Sequence, residues 1–392
     1  MYFALSVLRR STLILFLFTV SASTFAQNDE RSEPITFHTS IQGGLFSNFR
    51  GGLDQGTSYV GRVHFTISLN TEYAGLWKNG EFFFNGVNMH GGNPTAKYIG
   101  DFQPISRNEA APERTGLFEL WYKHRFTNGF VLIGQHDMNT SMGTSAYAGQ
   151  SINSAFGMNP SITPNAGNAF SIFPRTMPAI YAQYRNLKLG QTSVTLQGAV
   201  YLGFAEDFEN DRYNVKWNLD GSTHSRFEAH FIRKRGIIKL GAMYHSGAFP
   251  SVLDADLEVR RNVGFYLITD QLILPEDDES DQGLGVFLQL GSAPGEQNLV
   301  PLFFSTGINY KGLLEGRDRD NLFLGLVISS INNDVVRTMN TDNSRSIIEA
   351  NYAIAIGDHL VIQPDLQYLI NPGANPLLKN SFSGLLRFSI TY

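Results

Sequence analysis

Residues 59–72 constrain the fold more tightly than any other stretch. Tyr59, Gly61, Val63, Phe65, Ile67 and Leu69 occupy one phase of a period-2 pattern, and Arg62, His64, Thr66, Ser68, Asn70 and Glu72 occupy the other. Such alternation belongs to a strand with one apolar and one wet face. The run is longer than a surface strand of a soluble sandwich needs, whereas a tilted membrane strand takes about 9 to 11 residues. The last stretch, 379–392, repeats the pattern, with Phe382, Gly384, Leu386, Phe388, Ile390 and Tyr392 in one phase. Its terminal aromatic is expected at a membrane boundary.

Alternating segments recur at 36–46, 81–91, 115–126, 130–137, 177–189, 192–203, 224–234, 236–245, 260–274, 283–291, 300–311, 321–331, 343–356 and 360–371. With the two above they number about sixteen, an even count within the porin range. Links after even-numbered segments are short, as at 127–128, 190–191 and 357–358. Those after odd-numbered segments are long, as at 92–114, 138–176, 205–223 and 332–342. Short periplasmic turns and long outer loops are the habit of outer-membrane barrels. The links 275–282 and 312–320 are longer than this rule expects. The sequence therefore predicts an all-β fold, a transmembrane antiparallel β-barrel of about 16 strands. Link 138–176, rich in Gly, Ser and Asn but carrying Phe156, Phe170 and Phe173, is expected to fold into the mouth and narrow it.

Composition agrees. Only 17% of the 392 residues are charged, against about 25% for ordinary globular chains. The mean hydropathy of -0.14 leaves no room for a bundle of apolar helices, a test that barrels escape because only alternate residues meet lipid. A formal charge of -5, spread along the chain, offers no basic footprint for nucleic acid. The absence of cysteine suits an oxidising compartment. Residues 1–26, with Arg9 and Arg10, the apolar run 13–20 and small residues up to Ala26, read as a cleaved export signal. Residues 27–392 are then the barrel, in a Gram-negative type outer membrane, with lipid as its surround.

The wet faces supply the candidate site. They carry Arg62, His64, Glu119, Trp121, Arg125, Arg226, Glu228, His230, Glu349, Gln363, Asp365, Gln367 and Arg387. Phe118, Leu120, Tyr122 and Phe126 fall in the opposite phase and are expected to face lipid. A selective polar channel needs hydrogen-bonding side chains that can replace a permeant's hydration, and an aromatic among them can bear an apolar face. Taken singly, each of these residues is also an ordinary component of a polar channel wall. Glu119, Trp121 and Arg125 join charge and an aromatic on one face. The acidic run 276–281 lacks the spacing of a calcium loop, and 316–320 reads as a turn salt-bridge cluster. No HExxH or GxSxG pattern occurs, so the sequence points to no catalytic residue, metal or cofactor. The rival readings are a general or anion-preferring diffusion channel and, further off, a barrel-borne lipid hydrolase, which requires a Ser/His pair at the lipid boundary. A homo-oligomer is compatible with the sequence and not specified by it.

Several stretches resemble one family. They include GDFQPISRNEAAPERTGLFELWYKHRF (100–126), FVLIGQHDMN (130–139), SINSAFG (151–157), GFYLITDQLIL (264–274), GLGVFLQLGSAPGEQNLVPLFFSTGINYKGLLEGRDRDNLFLGL (283–326), IIEANYAI (347–354) and VIQPDLQYLINPG (361–373). Together they resemble the carbohydrate-selective porin family OprB across most of residues 27–392. The resemblance implies a sixteen-stranded barrel that admits small sugars by passive diffusion through a constriction of charged and aromatic residues. One departure stands out: Gln135, before His136 and Asp137, occupies a place where a basic residue is expected, implying a missing lumenal charge and an altered sugar preference.

Overall fold

The computed structural model describes residues 33–392, apart from 110–111, 164, 166–169, 206–207, 220 and 278–279. The expected export signal lies outside the described residues. The strands are β1 (Ile35–Gly52), β2 (Gly56–Asn70), β3 (Gly80–Gly91), β4 (Arg114–Phe126), β5 (Gly129–His136), β6 (Met177–Leu189), β7 (Thr192–Leu202), β8 (Thr223–Arg233), β9 (Gly236–Pro250), β10 (Glu258–Pro275), β11 (Gly283–Ser292), β12 (Leu302–Lys311), β13 (Asn321–Ser330), β14 (Ser344–Ile356), β15 (Leu360–Ile370) and β16 (Lys379–Thr391). Each pairs antiparallel with its neighbours in sequence, and β16 pairs with β1, closing a barrel with no edge.

The period-2 pattern becomes a two-sided wall. In β8, Phe227 is 52% exposed on the outside while the next residue, Glu228, is wholly buried inside. Leu45, Phe65, Leu120, Ile133, Leu366 and Leu386 share the outer face with Phe227 and are likewise exposed. So large a belt of bare apolar side chains would be a liability in water and is the ordinary surface of a protein in hydrocarbon. The inner face carries Gln, Asn, Ser, Glu, His and Arg, with apolar residues only where inner loops cover them.

Three details differ from the sequence expectation. β1 runs on past Phe46 to Gly52 through two register shifts near Asn48 and Arg50, where bulges break the alternation that marks a strand. Phe118 faces the lumen rather than lipid. A register shift sets Asn85 opposite Glu119 but Gly86 opposite Leu117, and the extra residue turns Phe118 and Glu119 to the same side. Phe118 then packs edge-on against His64 (centroids 5.5 Å apart) and Phe173 (5.5 Å). Finally, the short/long rule has exceptions beyond the two foreseen: the outer link 53–55 is very short and 71–79, at the opposite rim, is long.

The two foreseen long turns are real, and the strand ends beside them stand where expected. Link 276–282 is closed by Glu276 N–H to Gln282 O (3.2 Å), and 312–320 by Gly312 N–H to Asp320 O (3.0 Å). In the second, Arg317 grips Asp320 through two hydrogen bonds of 2.8 Å, the turn salt bridge expected there.

Candidate functional site

Two outer links turn inward and fill the lumen. In 137–176 small polar residues cap short turns: Asp137 accepts from Asn139 N–H (3.0 Å), Asn153 from Ala155 N–H (2.9 Å) and Asn159 from Ser161 N–H (3.0 Å). Irregular backbone of this kind leaves N–H and C=O groups that must find partners once buried, and the barrel wall provides them. Glu349 accepts from Ile152 N–H (2.5 Å) and Asn153 N–H (3.1 Å), Glu228 from Gly143 N–H (2.8 Å), and Asp270 from Ala146 N–H (2.9 Å). Gln289 donates to Phe156 O (3.1 Å) and Gln363 to Gln150 O (2.9 Å). Hydrogen bonds to ionised groups contribute about 1.5–3 kcal/mol each, enough in combination to hold an otherwise irregular segment. Packing completes the seat. Phe156 meets Phe323 edge-on (5.3 Å), in space that exists because Gly325 has no side chain: a Cβ there would lie 2.5 Å from the Phe156 ring.

The link 92–113 enters beside it. The Glu109 carboxylate gathers Thr95 N–H (3.0 Å), Thr95 O–H (2.6 Å) and Ser106 N–H (3.0 Å). Asp101 binds the fully buried guanidinium of Arg345 from β14, whose Nε lies 2.9 Å from its Oδ2. Gln367 of β15 donates to Ile105 O (3.0 Å) and accepts from Asn153 (2.9 Å), so one side chain ties both links together.

Between the two links and β2 lies a cavity of about 260 Å³, room for roughly nine waters at liquid density. Its polar wall includes Arg62, Arg107, Ser106, Asn139 and Ser154, and its apolar wall Phe102, Pro104, Phe173 and Pro174. A second cavity of about 310 Å³ shares Pro104, Glu109, Phe173 and Pro174 with it and reaches Arg175 and Phe208. A third, of about 670 Å³, opens on the other side of Tyr147 and Gln150 towards the turns at Arg233–Gly236 and Asp281.

Burial shapes the charges of the two links. Removal from water pushes the Glu109 carboxyl up to about 7, although its hydrogen bonds pull the other way. The same desolvation, helped by the nearby Glu119, takes Asp137 up to about 8. Arg107 is lowered by burial but holds Ser151 Oγ at 2.6 Å and backbone oxygens of Ala148 and Gly149.

The thirteen residues singled out by strand phase fall into three settings. Arg62 borders the smallest cavity, its guanidinium 4.7 Å from the Phe173 ring centre and hydrogen-bonded to Gln42 (2.9 Å). His64, bonded to Asn85 (2.9 Å), lies beside it, and Arg387 is within electrostatic reach. A second group holds the links: Glu349, Gln363 and Gln367 as described; Asp365, which accepts from Gln367 (2.8 Å); and Glu119, which accepts from Asp137 N–H (3.1 Å). Glu228 and His230 (2.5 Å apart) and Arg226, over the Tyr266 ring at 5.4 Å, lie beneath link 137–176. The third setting is the rim bearing the short turns, where Arg125 pairs with Glu81 (2.5 Å). Trp121 stacks on Phe83 (4.6 Å) above it. Trp121 and Arg125 are therefore not brought together with Arg62.

Strand phase had no means of finding Arg107, Asn139, Ser106, Ser154 and Phe173, which lie on links without a period. The one available signal was Phe173, one of the three phenylalanines of the link expected to narrow the mouth; Arg107, which shares link 92–113 with Lys97, had none. Gln135 does not face the lumen: it binds Thr176 (2.9 Å), Asn214 O (2.9 Å) and Trp217 (3.1 Å), fixing link 203–222 to the wall above the short β5. The expected lumenal vacancy at that position is thus corrected.

Residues 54–392 match the family described as carbohydrate-selective porin, OprB family. The chain belongs to that family. Membership makes it a channel rather than an enzyme and places it in the outer membrane. The porin is 24% identical over 128 residues to Porin B of Pseudomonas aeruginosa, a stretch that spans 28% of each chain. Its fold is similar to the high-pH structure of Pseudomonas putida OprB, with a TM-score of 0.81 at 16% identity over 92% of this chain and 94% of that one. The low-pH structure of the same protein gives 0.58 at 13% identity (92% and 93% covered), and the outer-membrane channel DcaP of Acinetobacter baumannii 0.55 at 10% (91% and 97%).

Proposed function

We propose that this porin passes mono- and small oligosaccharides down their gradient, with no chemical step, and that the cavity between links 92–113 and 137–176 is its constriction. The observation that carries this reading is the composition of that cavity wall. Guanidinium, amide and hydroxyl groups can replace the hydration of sugar hydroxyls, and the Phe173 ring with its proline neighbours offers an apolar surface to a ring face. Of the residues chosen by strand phase, Arg62 contacts the permeant, His64 and Arg387 tune the wall behind it, and those bound to the links act by setting the width. The family description and the fold shared with other porins support the same reading.

Swelling of liposomes that contain the purified protein tests it. Glucose is expected to enter much faster than into protein-free vesicles, with the rate falling steeply for longer oligosaccharides. Arg62→Ala should flatten that size dependence. Equal swelling with and without protein would remove the proposal.

A further inference from the structure

The arginines around the constriction share an unusual feature. Arg107 and Arg387 lie within electrostatic reach of Arg62, and Arg107 within reach of Arg387, with Asp137, Glu349 and Asp365 acting on them as more distant opposite charges. Among the described residues none of the three has a carboxylate within 4.0 Å. The ion pairs among the described residues lie elsewhere: on the outer links and the rims, at Arg345–Asp101, and at His230–Glu228 beneath link 137–176. Arg62 and Arg387 each leave Nε without a partner and spend Nη2 on a neutral amide, Gln42 and Gln363. Arg107 likewise leaves Nε bare. Arg114, over the Phe208 ring that lines the neighbouring cavity (3.9 Å from its guanidinium carbon), has no hydrogen-bond partner for its three nitrogens among the described residues.

Acids are close by but are turned away. Glu349 faces the N–H groups of Ile152 and Asn153, Glu109 those of Thr95 and Ser106, and Asp137 that of Asn139. Burial raises the carboxyl of Glu109 to about 7 and that of Asp137 to about 8, so near neutrality Glu109 keeps about half of its charge and Asp137 little. All three guanidiniums are half-buried, and a lumen that keeps them together without a paired carboxylate has an anion-seeking opening. The planar guanidinium fork matches a carboxylate better than a neutral hydroxyl.

We propose that the constriction favours sugar acids, monosaccharides bearing a carboxylate such as uronates, over neutral sugars of the same size, through Arg62, Arg107 and Arg387. This rests on the sugar-channel reading above and adds the charge of the permeant.

The experiment uses the full chain in planar bilayers, recording single-channel current in dilute KCl with glucose or glucuronate added. Glucuronate is expected to half-block the current at a severalfold lower concentration than glucose, and the ratio should collapse towards one in Arg107→Gln. Should that variant fail to insert, the wild-type porin still decides. Screening shortens from about 10 Å at 0.1 M salt to about 3 Å at 1 M, so the ratio must shrink as KCl is raised. Equal half-blocking concentrations, or a ratio indifferent to salt, overturn this inference while leaving the sugar channel intact. No block by either sugar counts instead against the channel reading.

Discussion

At the scale of single residues, the lumen divides its side chains between two tasks that the sequence cannot separate. Glu349 and Arg387 alternate inward on neighbouring parts of the same wall, yet one grips backbone N–H groups and the other keeps its charge unpaired. The loop carboxyls give this division a pH dependence. Asp137 is faced by Glu119 of β4, Arg62 of β2 and the N–H groups of Asn139 and Phe173, and Glu109 by Thr95, Ile105 and Ser106. Both are raised above their unfolded values, so their contribution to loop seating is fully present in acid and is lost as pH climbs through about 7 and then about 8. Ionisation also adds negative charge beside Arg62. The anion-over-cation permeability ratio, read from reversal potentials in a KCl gradient, should therefore decline from about pH 6 to about pH 9; a flat profile would contradict the assignment.

At the scale of elements, the narrowing is made by links and held by strands, so the sensitive positions lie on the wall. Glu349→Ala strands the N–H groups of Ile152 and Asn153 at a cost of about 1–3 kcal/mol. Gly325→Leu evicts the Phe156 ring. Both variants are expected to keep the barrel but to give larger, noisier single-channel currents, and unchanged conductance in both would mean that the links are held by other means. The same division governs what could be read in advance. Unbulged strands such as β7 and β13 are visible as alternation, and the bulges at Asn48–Arg50 and Phe118 hide the parts that depart from it. The inward fold of 137–176 followed from its length and its phenylalanines. That of 92–113 did not, because the pull of Arg345 on Asp101 and of Gln367 on Ile105 joins residues far apart in the chain. Arg107 was missed for the same reason: its neighbours are set by that docking, not by any period.

At the scale of the whole molecule, stability depends on which solvent each face meets. Phe227→Arg puts a cation into hydrocarbon, about 2–4 kcal/mol near the bilayer midplane, whereas Glu228, the next residue, is an acid that the interior requires. Reversible urea unfolding in lipid vesicles should show the Phe227 substitution as a lowered midpoint, and its absence would place β8 away from lipid. Closure has a further consequence. Thr39 and Tyr392 exchange two backbone hydrogen bonds of 2.9 Å, and β1 is zipped to β16 along most of its length. The seam therefore joins the first strand of the barrel to the last, so a wall lacking either β1 or β16 cannot close. Such a partial wall would leave two margins of unpaired N–H and C=O groups, each a template for pairing with another chain.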